Sequence, residues 1–129
     1  MSKRLYSILL FLWILFWTFL FLIPAKYFPS GSGQFLSIPH FDKIIHSFIF
    51  FVIGGLLYLK EKDLYKGFFQ STIFTMIYGA TIESLQRVVG RGADIYDYIA
   101  DIVGVVLIYF IIFILLKLSK FKTKIVSVI

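Results

Sequence analysis

The chain has 129 residues, of which 60% are hydrophobic and 16% charged, with a net charge of +6 and no cysteine. A soluble domain carries about a quarter charged residues, and a water-soluble fold of this size has too little interior to hide so much apolar surface. Disulfides, thiolate metal sites and a cysteine nucleophile are excluded, two histidines argue against a structural zinc site, and the length leaves room for a single domain over 1–129.

The first apolar run, Leu5 to Ile23, contains no charged residue and is about as long as a bilayer core demands. Lys3 and Arg4 form a short basic n-region, but the run exceeds an ordinary signal-peptide core. Ile23-Pro24-Ala25 is also a poor cleavage site, so a retained helix is expected. Pro24, Pro29, Gly31, Gly33 and Pro39 then break the chain into a loop. A second helix fits Lys43 to Leu59, with Gly54-Gly55 as a point of close helix packing. KEKDLYK, Lys60 to Lys66, reads as a charged connector. A third helix runs from about Gly67 to Val89, apolar at first and polar over its last two turns. GRGAD is a turn, and a fourth helix spans about Ile95 to Leu116, its Ala100 and Gly104 at small-xxx-small spacing. Phe121 to Ile129 is expected to be a short basic, then apolar, tail. The expected fold class is therefore all-α, a polytopic membrane protein with four transmembrane helices.

The charges orient these spans. Lys3, Arg4, Lys60, Lys62, Lys66, Lys117, Lys120, Lys122 and Lys124 flank apolar runs at the N-terminus, the second loop and the C-terminal tail. Lysines in such places are the signature of membrane orientation rather than of a nucleic-acid surface. Both termini are expected on the cytoplasmic side of the cell (inner) membrane, with the first and third loops outward.

Under that topology Asp42, Glu83, Asp94, Asp97 and Asp101 all fall at the outer ends of helices two, three and four. In FDKIIHSF, Asp42 and His46 are four residues apart and share a helix face with Lys43 beside them. Glu83 sits one turn before Gln86 and Arg87, and Asp94, Asp97 and Asp101 share a face of the fourth helix. Ionisable groups at membrane depth are costly and face the bundle interior or a wet cavity. The expectation is a polar cavity opening outward between helices two, three and four, with the first helix as an apolar support. Simpler roles exist for several members. Asp94 can cap the fourth helix and Asp97 can favour its dipole. Arg87 and Arg91 can anchor at the interface or neutralise the acids, and Lys43 can reach the head groups. Glu83 and Asp101 lie a turn or more inside their helices and demand a partner or a ligand.

The ordered set Asp42-Lys43 with His46, Glu83 with Gln86, then Arg91, Asp97 and Gly104, over about residues 40 to 115, resembles the VanZ-like family of small membrane proteins. Asp101 stands where that family commonly has Asn. The resemblance implies an envelope role, associated in the founding member with low-level resistance to the glycopeptide teicoplanin.

Two function classes compete, with a third behind them. The first is a binding or envelope-modifying protein that holds a lipid head group, a lipid-linked cell-wall precursor or a glycopeptide. Lys43, Arg87 and Arg91 would contact the anion, and Asp42, His46, Glu83, Gln86, Asp94, Asp97 and Asp101 would complete the site. The second is an intramembrane enzyme with His46, Glu83, Asp97 and Asp101 as catalytic candidates and water or Ser84 as nucleophile. No metal or cofactor is assigned, although in the enzymatic reading the carboxylates and His46 could hold a divalent cation. A proton or cation pathway is the third, but the cytoplasmic halves of the helices offer no comparable polar relay.

Overall fold

In a computed structural model the described residues are 2–24, 27, 40–90 and 94–126, with side chains described through 119. They form four helices and no strand: α1 (Lys3–Phe21), α2 (Phe41–Glu61), α3 (Leu64–Val88) and α4 (Ile95–Val126). By length and composition α1, α2 and α4 can each cross a bilayer, which points to a membrane protein. Their outer faces carry exposed Phe11, Phe19, Phe48, Phe110 and Leu118, a surface suited to lipid and not to water. Helix α3 has 25 residues, a length of about 37 Å. Its Gln70, Ser71, Thr72, Thr75 and Glu83 set it apart from the three apolar helices.

The boundaries differ from the sequence expectation for local reasons. Ser2 caps α1, its Oγ accepting from the Leu5 amide at 3.3 Å, so the helix begins at Lys3. It ends at Phe21, because a residue before proline resists the helical conformation and Pro24 follows closely. The charged connector predicted over Lys60 to Lys66 shrinks to two residues. Lys60 and Glu61 continue α2, Lys62 turns the chain in the left-handed region (φ 58°), and Asp63 caps α3 through the Lys66 amide at 2.7 Å. The fourth helix does not stop at Leu116 but runs to Val126, where the predicted tail begins at Phe121. No Gly or Pro interrupts that stretch, so nothing in it ends a helix. Of the predicted GRGAD turn, Gly90 and Asp94 are described and Arg91, Gly92 and Ala93 lie outside the described residues.

Helix α2 is the hub, touching all three others, with its largest contact against α4. Backbone proximity there depends on Gly104: a Cβ at that position would overlap the Ser47 carbonyl oxygen of α2. Gly54 answers from the other helix, where a Cβ would come within 2.7 Å of Ile108. Without a hydrophobic drive between helices in lipid, such close approach and the dispersion it permits hold a bundle together. Ile49, Phe50, Ile53 and Val105 belong to the core shared by the helices and are almost completely buried.

Helix α3 enters by a stripe of small side chains. Gly67, Ser71, Thr75 and Gly79 repeat every four residues and are all buried. The space beside Gly67 takes the Tyr109 hydroxyl, which donates to the Gly54 carbonyl (3.2 Å) and lies 3.0 Å from Ser71 Oγ. Helix α1 packs on α2 and lightly on α3. Trp13 Nε1 donates to the Ile49 carbonyl at 3.2 Å, and the Thr18 and Tyr78 hydroxyls meet at 2.6 Å.

A methyl group at Gly104 has to push two backbones apart, so Gly104→Ala is expected to cost about 1–3 kcal/mol. A Cβ at Gly55 meets its nearest atom at 3.7 Å, and Gly55→Ala should be neutral or stabilising by up to about 1 kcal/mol through helix propensity. Thermal unfolding of both variants in detergent checks the pair; equal effects would contradict the described α2–α4 contact.

Candidate functional site

The first turns of α2 and α4 and the last turns of α3 meet at one end of the bundle. Asp94 is the N-terminal cap of α4: its Oδ1 accepts from the Tyr96 amide at 2.9 Å, and its carbonyl accepts from the Asp97 amide. Asp97 lies in the first turn of α4, where the helix dipole favours a negative charge. The capping roles read from the sequence are thus present. Both residues also do more.

Lys43 of α2 reaches across to α4. Its ammonium lies 2.8 Å from Asp94 Oδ2, 2.9 Å from Asp97 Oδ1 and 3.0 Å from Asp42 Oδ2. Three carboxylates therefore share one ammonium, which uses all three of its protons. One turn deeper, His46 Nδ1 and Asp101 Oδ1 are 2.9 Å apart, and both side chains are buried. With Asp101 ionised the carboxylate only accepts and Nδ1 carries the proton; in the neutral imidazole Nε2 then presents its lone pair. Phe21 of α1 lies against the His46 ring, with centroids 4.7 Å apart.

Helix α3 joins through Glu83. Its Oε2 accepts the Asp94 amide at 3.0 Å, while its buried Oε1 has no hydrogen-bond partner among the described residues. Opposite Asp101, Gly79 leaves a notch: a Cβ there would lie 2.8 Å from Asp101 Oδ2.

The structure thus brings together Asp42, Lys43, His46, Glu83, Asp94, Asp97 and Asp101 from three helices. Other residues predicted for the site stand apart. Gln86 is buried but faces α1, its Nε2 donating to the Phe21 carbonyl at 3.4 Å. Arg87 is exposed and forms no ion pair among the described residues, and Arg91 lies outside them. Ser84 Oγ is tied to the Ala80 carbonyl at 2.7 Å. The polar groups pack on one another. Among the described residues a groove of about 360 Å³ lies between α3 and α4, lined by Glu83, Ser84, Arg87, Asp94 and Tyr98. A larger apolar groove of about 600 Å³ runs between α2 and α4, from Leu107 and Phe51 up to Lys43 and His40. Phe21, in the apolar first run, carried no signal in the sequence that would mark it as a neighbour of the charged groups, whereas Tyr98 directly follows Asp97.

Removing the shared ammonium strands three acids. Lys43→Met is expected to destabilise by about 2 kcal/mol, below the 3–5 kcal/mol of a fully buried pair because Asp42 and Asp94 stay partly exposed. Adding Asp94→Asn should restore part of that loss, as a double-mutant cycle by thermal unfolding would show.

The Lys43 ammonium beside Asp94 also holds the Asp94 carboxyl below its usual range. The resulting stability is present above the unfolded carboxyl value, about 3.9. It is lost as pH falls through the lower folded value. The melting temperature should therefore drop below about pH 4, less steeply in Asp94→Asn; identical profiles would contradict the pairing. Compared with family models, curated proteins and solved structures, the chain matches none of them.

Proposed function

We propose that this chain is a VanZ-like integral membrane protein of the cell membrane. It has four spans, α3 among them, its termini are cytoplasmic and its charged end faces outward. There it binds the polar head of a lipid or of a lipid-linked cell-wall precursor, a role in the envelope that extends to tolerance of glycopeptides such as teicoplanin. The observation that carries this reading is the convergence of α2, α3 and α4 at one charged end beside an apolar groove that leads up to it. A lipid needs that combination: an apolar wall for its chain and polar groups where the chain ends. Lys43 is already neutralised, and among the described residues Arg87, on the wall of the polar groove, is a cation available to an anionic head group. The ordered residue set shared with the VanZ-like family and the nine flanking basic residues at the opposite side support the family and the orientation.

A second reading is favoured by the buried pairing of His46 with Asp101. A histidine oriented by a carboxylate through Nδ1, with Nε2 free, is the arrangement of a general base, here acting on a lipid-linked substrate.

Two experiments separate these possibilities. Val88 and Tyr65, each 82% exposed, mark the two ends of α3 in a chain without cysteine. In intact cells an impermeant thiol reagent is expected to label Val88→Cys and to label Tyr65→Cys only after lysis. The reverse pattern would invert the topology, and labelling of both from one side would remove α3 from the spans. Phospholipid retained per chain after purification is expected to fall several-fold in Arg87→Ala; an unchanged amount would sink the head-group role. Turnover of lipid-linked substrates lost in both His46→Ala and Asp101→Asn, with lipid retention intact, would favour the enzymatic reading instead.

A further inference from the structure

Two groups of side chains share Asp97 at the charged end. In the outer one, Asp42, Asp94 and Asp97 surround the Lys43 ammonium, so that group carries its own cation. The inner one consists of His46, Glu83 and Asp97. All three are buried, and one donor atom from each lies within 4.8 Å of the other two. No lysine or arginine among the described residues reaches into it except through the outer face of Asp97.

Among the described residues each inner side chain has one polar atom committed and one without a hydrogen bond. With the Nδ1–H tautomer His46 donates to Asp101, and its Nε2 lies 3.9 Å from Asp97 Oδ2, beyond hydrogen-bond range. Asp97 Oδ1 accepts from Lys43 at 2.9 Å, and no described donor bonds Oδ2. Glu83 Oε2 accepts the Asp94 amide, while Oε1, on a side chain only 9% exposed, has no donor among the described residues. A buried carboxylate oxygen without a donor is rare in native proteins and calls for an unseen partner.

We propose that His46, Glu83 and Asp97 bind a divalent first-row metal ion of the Zn²⁺ or Mn²⁺ kind. Imidazole nitrogen and carboxylate oxygen are the ligand types such ions take. Asp101 is the outer carboxylate that fixes the histidine tautomer and aims Nε2, as metal-binding histidines require. Lys43 and the Asp94 amide hold the other two ligands in the same way. Ligands about 2.1 Å from one ion stand roughly 3–4 Å apart, so closure around it needs only a small inward movement. The outer group is no rival, because the Lys43 ammonium fills it. Three protein ligands leave a position open for water or for an oxygen of a bound molecule. The general-base reading needs the same Nε2 lone pair, so base and ligand are alternatives at that atom. Ion binding does not depend on the head-group reading; where both hold, a phosphate oxygen takes the open position.

The test uses the full chain in detergent, stripped with EDTA and dialysed against Zn²⁺ or Mn²⁺. Bound metal is counted by elemental mass spectrometry, affinity by calorimetry and stability by thermal unfolding. The expected result is one ion per chain with a raised melting temperature. Glu83→Gln, which keeps side-chain size, should abolish it, and Asp101→Asn should weaken it about 10–100-fold. Glu61→Gln, at the opposite end of α2, should bind like wild type. Sub-stoichiometric metal on the wild-type chain would overturn the proposal without any variant. Equal binding by Glu83→Gln and wild type would also overturn it, as would loss in Asp42→Asn with retention in Glu83→Gln.

Discussion

A lysine ammonium enclosed by three carboxylates ties the start of α2 to the start of α4, and the charged end of the bundle is organised around that tie. Acids near membrane depth are tolerated only when something compensates them, and here, apart from the Lys43–Asp42 pair within α2, the compensation crosses between helices. Asp94 accepts the ammonium, caps its own helix and offers its backbone amide to Glu83 of α3. A single residue therefore passes the constraint from α2 through α4 to α3. His46 and Asp101 repeat the α2–α4 link one turn deeper.

Much of this was legible in the sequence. A bilayer makes an isolated charge expensive, so acids at the same end of three helices have to meet, and that argument located Asp42, Lys43, His46, Glu83, Asp94, Asp97 and Asp101 from spacing alone. It was weaker for Gln86 and Arg87. Their neighbours in sequence belong to the cluster, but one helical turn rotates Gln86 toward α1 and Arg87 outward. The four-residue repeat of Gly67, Ser71, Thr75 and Gly79 was present in the sequence as a packing signal. It is easily missed among the bulky residues between. The part played by α1 was not legible. An all-apolar helix gives no indication that Phe21 will cover a histidine ring or that its carbonyl will accept from Gln86.

The depth of the polar region is limited from within. Next to the polar groups lies the apolar core, with Ile49, Phe50, Ile53 and Val105 almost completely buried. The next buried hydroxyls, on Ser71 and Tyr109, bond to each other and to the backbone. Among the described residues no carboxylate, lysine, arginine or histidine lies between the two levels.

The notch at Gly79 gives the charged end a mechanical property. Asp101 occupies space that any larger residue on α3 would claim, and it in turn sets the tilt of the His46 ring. The gap between α3 and α4 is thus measured by a carboxylate. Because the same carboxylate pairs with His46, the spacing of α3 and α4 and the orientation of the imidazole are mechanically linked.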